Sequence, residues 1–161
     1  MNSVIFIIGV AGSGKTTIGK KLSAQINIPF LDGDDFHSLK NKEKMKAGIP
    51  LNDQDRKDWL LSINKAAREL EQKSGAIIAC SALKEKYRQL LTTDVKKIRW
   101  IYLEGKFEMI KKRMLNRVEH FMPVSLLQSQ FEILEPPISA LKISIENSPD
   151  YIIKEILEYI K

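Results

Sequence analysis

Eight residues, Gly9-Val10-Ala11-Gly12-Ser13-Gly14-Lys15-Thr16, join a short apolar run to an amphipathic stretch, and they constrain the chain more than any other feature. The run Val4-Ile5-Phe6-Ile7-Ile8 is continuously apolar, as expected of a strand buried on both faces. Beyond the glycines, Thr17, Ile18, Leu22 and Ile26 follow helical spacing. Strand, glycine loop, helix is the context in which the pattern G-x-x-x-x-G-K-[S/T] carries weight. The glycines let successive N–H groups converge on one anion. The helix that follows adds the positive end of its dipole, worth up to about 2 kcal/mol in favourable geometry. We therefore expect Gly9, Val10, Ala11, Gly12, Ser13, Gly14, Lys15, Thr16 and Thr17 to hold the phosphates of ATP. Lys15 supplies a mobile charge for the outer phosphates, and the Thr16 hydroxyl can ligate Mg²⁺. A glycine-rich turn with a chance lysine is the plain alternative.

The rest of the chain alternates between strand and helix signals. Further strands are expected at Ile28–Leu31, Ala76–Ala79, Ile98–Leu103 and Leu141–Ile145. Helices are expected between them: over about Lys15–Ile26, over Leu39–Ala47 with Gly48 as a left-handed cap, and after an N-cap at Asn52 or Asp53. Ser81 is a candidate cap for a helix burying Leu83, Tyr87, Leu90 and Leu91. Two more helices are marked by Phe107–Leu115 and by Met122-Pro123 through Phe131, and Pro149 opens the last. Such alternation implies an α/β fold with a parallel sheet covered on both sides. A length of 161 residues fits one domain, read as 1–161.

Composition narrows the class without choosing the chemistry. Hydrophobic and charged fractions of 43% and 29% are those of a soluble globular protein. The N-terminal apolar run is too short for a signal peptide or membrane span, and the single Cys80 allows no internal disulfide, so a cytoplasmic location is expected. Cys80 itself reads as a small buried hydrophobe, and Trp59 and Trp100 as core. The net charge of +6 suits nucleic acid or any phosphate-handling enzyme.

Acids appear after the second strand, in Asp32-Gly33-Asp34-Asp35, whereas the third ends in Ala79-Cys80-Ser81 with none. Asp32 and Asp34 share a face of an extended chain and Asp35 takes the other. Asp32 is the candidate metal-side carboxylate and Asp34 the candidate base for a substrate hydroxyl, a role typically worth about 10²–10⁴-fold. His37 and His120, the two histidines, each adjoin a phenylalanine beside these segments. Lys84 and Arg88 stand four apart, as do Arg113 and Arg117, so each pair would share a helix face. Like charges so placed cost about 0.2–0.5 kcal/mol unless an anion neutralises them. The substrate is the natural anion for the first pair and the moving phosphoryl for the second, where an arginine can be worth about 10³–10⁵ in rate. Arg56 sits unfavourably at a helix N-terminus, which hints at a ligand; an ion pair with Asp53 or Asp55 is equally open on spacing.

These stretches closely resemble the gluconokinases, small phosphate-loop kinases that use ATP to phosphorylate D-gluconate. The shared blocks are Phe30-Leu31-Asp32-Gly33-Asp34-Asp35-Phe36-His37, Lys44-Met45…Gly48-Ile49-Pro50-Leu51, Asp53…Asp55-Arg56…Trp59-Leu60, Cys80-Ser81-Ala82-Leu83-Lys84…Tyr87-Arg88, Tyr102-Leu103…Gly105 and His120-Phe121-Met122-Pro123…Ser129-Gln130-Phe131…Leu134-Glu135-Pro136-Pro137. The related shikimate kinases share the loop and layout but lack the Gly-Asp-Asp-Phe-His and Cys-Ser-Ala-Leu-Lys blocks. The resemblance implies a five-stranded parallel sheet, a mobile lid near residues 113–123, and a gluconate pocket lined by His37, Arg56, Lys84 and Arg88, with His120 beside it. It also implies a homodimer, with a small molecule rather than nucleic acid or membrane as partner. Three positions depart from the family pattern: Glu119 replaces a glycine, Thr92 a common arginine, and the segment after Pro137 lacks an acidic pair. A kinase for another small hydroxy acid or polyol is the runner-up, followed by a non-catalytic nucleotide- or nucleic-acid-binding module.

Overall fold

A computed structural model describes residues 2–117 and 123–161. Five parallel strands form one sheet, β1 (Val4–Ile8), β2 (Phe30–Asp32), β3 (Ala76–Cys80), β4 (Ile98–Glu104) and β5 (Leu141–Ser144), in the order β2-β3-β1-β4-β5. Among the described residues the helices are α1 (Lys15–Ile26), α2 (Leu39–Lys46), α3 (Asp53–Glu71), α4 (Glu85–Thr92), α5 (Phe107–Leu115), α6 (Ser125–Ile133) and α7 (Pro149–Ile160). None of the helices described is long and apolar enough to cross a membrane.

The two-residue period of the strands sorts the core. Ile5 and Ile7 of β1, Ile77 of β3 and Ile101 and Leu103 of β4 pack with Ile18 and Leu22 of α1, Ile110 of α5, Leu127 of α6 and Ile152, Ile153 and Ile156 of α7. The intervening Val4, Phe6, Ile8, Ile78 and Tyr102 face the opposite way, onto Trp59, Leu60, Ile63 and Ala67 of α3 and Tyr87 and Leu91 of α4. Both faces of β1 are thereby dry, which is why its sequence is a run rather than an alternation. Trp100 lies at the margin of this core, its ring stacked 4.7 Å from Phe6.

Register carries the acids to the phosphate loop. Ile8 pairs with Cys80 and Ala79 with Asp32, so the ends of β1, β2 and β3 share the carboxyl edge of the sheet, where open α/β sheets bind ligands. Gly33 makes the turn after β2 compatible with that register: a Cβ there would lie 2.6 Å from the Ala79 carbonyl oxygen. We predict that Gly33→Ala destabilises the fold by about 1–3 kcal/mol through forced backbone displacement, measured as a lowered urea midpoint. An unchanged midpoint would show that the turn yields freely.

Local signals set most helix boundaries. Asn52 caps α3 and forms a reciprocal capping box with Asp55, resolving the choice between Asn52 and Asp53. Ser38 caps α2, and Ser148 caps α7 with Pro149 in its first turn. Two expectations fail. Ser81 caps no helix: the chain stays irregular to Lys84, with Ala82 in the left-handed region at φ 40°. Leu90, expected inward, is 36% exposed, because starting α4 at Glu85 turns Tyr87 and Leu91 to the core instead.

Candidate functional site

The phosphate loop wraps the start of α1. Gly14 is the N-cap at φ 95°, a conformation that suits a residue without Cβ, and no side chain caps the helix. No protein acceptor among the described residues takes the amides of Gly14, Lys15 and Thr16, so the dipole end opens unfilled onto a cavity. The Ala11 amide donates to Gln130 Oε1 at 2.7 Å, tying α6 to the loop. Gly9, Val10 and Ser13 build the turn behind the cavity wall, while Ala11, Gly12, Gly14, Lys15, Thr16 and Thr17 line it. Lys15 Nζ donates to the Val10 carbonyl oxygen at 2.9 Å. Burial holds its pKa below the usual lysine value, against the opposing pull of Asp34, Cys80 and Asp32.

The carboxylates border the same cavity beside this loop. Thr16 Oγ1 donates to Asp32 Oδ2 at 2.8 Å, and Asp32 Oδ1 accepts the Asp34 amide at 3.0 Å, capping the 3₁₀ turn Gly33–Phe36. Asp34 also lines the cavity, whereas Asp35 does not. The Asp34 carboxyl is open to the cavity, yet the protein mass around it removes hydration and raises its pKa; Asp32 and Asp35 add to that rise while Lys15 and Lys42 oppose it. No cluster of three or more acids, histidines or cysteines among the described residues could cage a metal. One hydroxyl and one carboxylate, 2.8 Å apart beside a phosphate cradle, instead suit Mg²⁺, which keeps waters and phosphate oxygens as its other ligands.

The far wall carries His37, Arg56 and Trp59. Trp59, expected as core, is buried and also borders the cavity: its ring stacks on His37 with centroids 4.2 Å apart, and its Nε1 donates to the Gly33 carbonyl oxygen at 2.7 Å. Arg56 pairs with neither nearby aspartate. Asp55 takes Lys44 at 3.0 Å, and Asp53 takes Lys86 and the Tyr87 hydroxyl. Arg56 Nη1 donates to the Leu51 carbonyl oxygen at 2.6 Å and the Tyr87 hydroxyl at 3.2 Å, which leaves its charge facing the cavity without a carboxylate partner among the described residues.

Burial, with Arg56 and Lys42 adding to it, pushes the His37 pKa down to about 4 from 6.5. The unfolded chain then binds the extra proton first, so stability is full above pH 6.5 and is lost as pH falls toward 4, by about 3 kcal/mol in total. We predict that His37→Gln flattens this part of a stability-versus-pH profile from chemical denaturation; an unaltered slope would assign it to other groups.

The paired cations do not share faces as spacing suggested. α4 begins at Glu85, so Lys84 is its extended N-cap, and its ammonium lies 3.7 Å from Asp53 rather than on the cavity wall. Arg88 is 4% exposed and spends its donors on Ala82 O (2.7 Å), Glu135 O (2.8 Å) and Glu85 Oε2 (2.9 Å), which places it away from the cavity. Helix α5 ends at Leu115, and its end splits the second pair: Arg113 turns to the Ile145 carbonyl oxygen at 2.8 Å, while Arg117 lines the cavity. His120 and Glu119 lie outside the described residues, as does the 118–122 part of the expected lid. Cys80 is buried with its thiol pKa pushed up to about 12, which suits packing rather than nucleophilic attack. Gln130 belongs to a block shared with the family but carries no role in the sequence reading, although an amide on the apolar face of Leu126 and Leu127 is the kind of buried polar group that needs a partner.

The shikimate kinase family model matches residues 11–160. A probable gluconokinase of Dictyostelium discoideum is 44% identical over 98% of this chain and 86% of its own length. The thermosensitive gluconokinase of Escherichia coli is 48% identical over 81% of this chain and 71% of its own. A sugar kinase structure from Janibacter superposes with a TM-score of 0.93 at 37% identity, covering 98% of this chain and 94% of that one. With a phosphate loop facing two carboxylates and relatives this similar over most of its length, the chain belongs to the gluconokinase family of small phosphate-loop kinases.

Proposed function

We propose that the protein transfers the terminal phosphoryl group of ATP to the terminal hydroxyl of D-gluconate, giving ADP and 6-phospho-D-gluconate. The observation that carries this reading is a single cavity with Lys15 and open loop amides on one wall, Asp34 between, and Arg56 and His37 opposite. Loop amides and Lys15 hold the phosphates of the nucleotide. Arg56 supplies a cation for the gluconate carboxylate, and His37 a polar edge for its oxygens. Asp34 accepts the proton as the substrate oxygen bonds to phosphorus and the bond to ADP breaks. Arg117 offsets charge on the moving group. Thr16 and Asp32 would hold Mg²⁺, directly or through water, and the ion supplies neutralising charge to the phosphates when bound.

Under the same proposal the enzyme works in the cytoplasm as a single-domain homodimer on a small molecule, without nucleic acid or membrane; the family supports the dimer, and light scattering on the purified protein tests it. The deciding assay couples ADP release to an indicator enzyme across a panel of sugar acids and polyols. Gluconate-dependent release well above the ATP-only rate is expected. Release with another hydroxy acid and none with gluconate would transfer the assignment to that substrate.

A further inference from the structure

Asn41 lies in α2, four residues beyond His37 and 4% exposed, and the cavity wall does not include it. A buried amide must place both of its N–H bonds. Asn41 Nδ2 donates to the Asp55 carbonyl oxygen at 2.8 Å, and it stands 3.4 Å from His37 Nδ1. Turning the amide over would set Oδ1 against the Asp55 carbonyl, acceptor against acceptor. With Nδ2 so fixed, its second hydrogen faces the ring, and Nδ1 can meet it only as a lone pair. The ring proton therefore resides on Nε2, and His37 is one of the residues that line the cavity. Stacking on Trp59, itself held by Gly33, fixes the plane of the ring.

We propose that Asn41 is a positioning residue for the acceptor site: it holds His37 as the Nε2–H tautomer, so that the ring offers the substrate one neutral, oriented hydrogen-bond donor. This rests on the reading of the cavity as a sugar-acid site. A fixed donor selects for an acceptor oxygen, a carboxylate or a hydroxyl lone pair, at one place in the pocket. Arg56 brings charge to the same wall, and His37 brings direction.

Two measurements test the assignment separately. Long-range ¹H–¹⁵N correlation spectra of the unliganded enzyme read the tautomer with no substrate present; an unprotonated Nδ1 and a protonated Nε2 are expected at neutral pH. Asn41→Asp reverses the polarity, because a carboxylate accepts from Nδ1–H, so the proton should move to Nδ1. That variant should raise the gluconate KM about tenfold, the worth of one hydrogen bond, with KM for ATP unchanged and kcat within about threefold. In a His37→Gln background the same substitution should add nothing to KM, whereas a structural role would add its full effect. If Asn41→Asp does not fold, Asn41→Ala goes through the same cycle, with a smaller rise expected. A protonated Nδ1 in the unaltered enzyme, or additivity in the cycle, overturns the proposal. Absence of any gluconate turnover, with the tautomer as stated, would instead overturn the substrate reading.

Discussion

Arg117→Ala is expected to slow phosphoryl transfer by about 10³-fold, or about 4 kcal/mol of lost transition-state stabilisation, while the gluconate KM moves by less than tenfold. Arg117 lines the cavity, and its charge reaches Lys15, where it works against protonation of the ammonium. Two cations brought this close gain only when negative charge collects between them, as it does on a phosphoryl group in flight. Arg113→Ala is the contrast. It removes a bond to the Ile145 carbonyl oxygen, so about 1 kcal/mol of stability should be lost with kcat changed only a few-fold. Single-turnover kinetics on both variants separate chemistry from product release. A raised gluconate KM with normal kcat in Arg117→Ala would move this residue from the phosphoryl group to the acceptor pocket.

Asp34→Asn is expected to lower kcat by at least tenfold, and by about 10²–10⁴-fold if proton transfer limits turnover, with ATP affinity retained. The substitution keeps the shape of the side chain and removes its capacity to accept a proton. Because burial raises the Asp34 pKa, the active ionised form is lost at higher pH than for an ordinary carboxylate. The acid limb of kcat/KM should therefore lie above the usual aspartate range and vanish in the variant. Stability should move the other way. A carboxylate whose folded pKa is raised opposes folding at neutral pH, so Asp34→Asn should be at least as stable as the parent protein. Near-normal turnover would remove Asp34 from the reaction, and a fall in thermal midpoint would show that its carboxylate serves the fold.

The order of elements was legible because each rests on neighbours in the chain. Strand β1 reads as an apolar run, α1 has the bounds that its spacing suggested, and the cap at Asn52 acts within three residues of itself. The loop Gly9–Thr16 and the acids Asp32 and Asp34 were legible for a related reason: both sit at strand ends, and a parallel sheet brings such ends together.

Spacing of four was a poorer guide for the cations, since it has meaning only inside a helix. Lys84 and Arg117 fall just beyond helix ends, and the turns that place those ends answer to distant partners. Ala82 keeps its left-handed backbone while Arg88 grips its carbonyl, and Arg88 in turn holds Glu135, which is 47 residues away in the chain. Local chemistry thus determined the elements, the glycine loop before α1 and the acids at the end of β2. Tertiary structure alone decided which cations face the cavity, that Trp59 bears on His37, and that the Asn41 amide meets the imidazole. Those outcomes depend on hydrogen bonds and ring contacts between segments, and no periodicity within one segment encodes them.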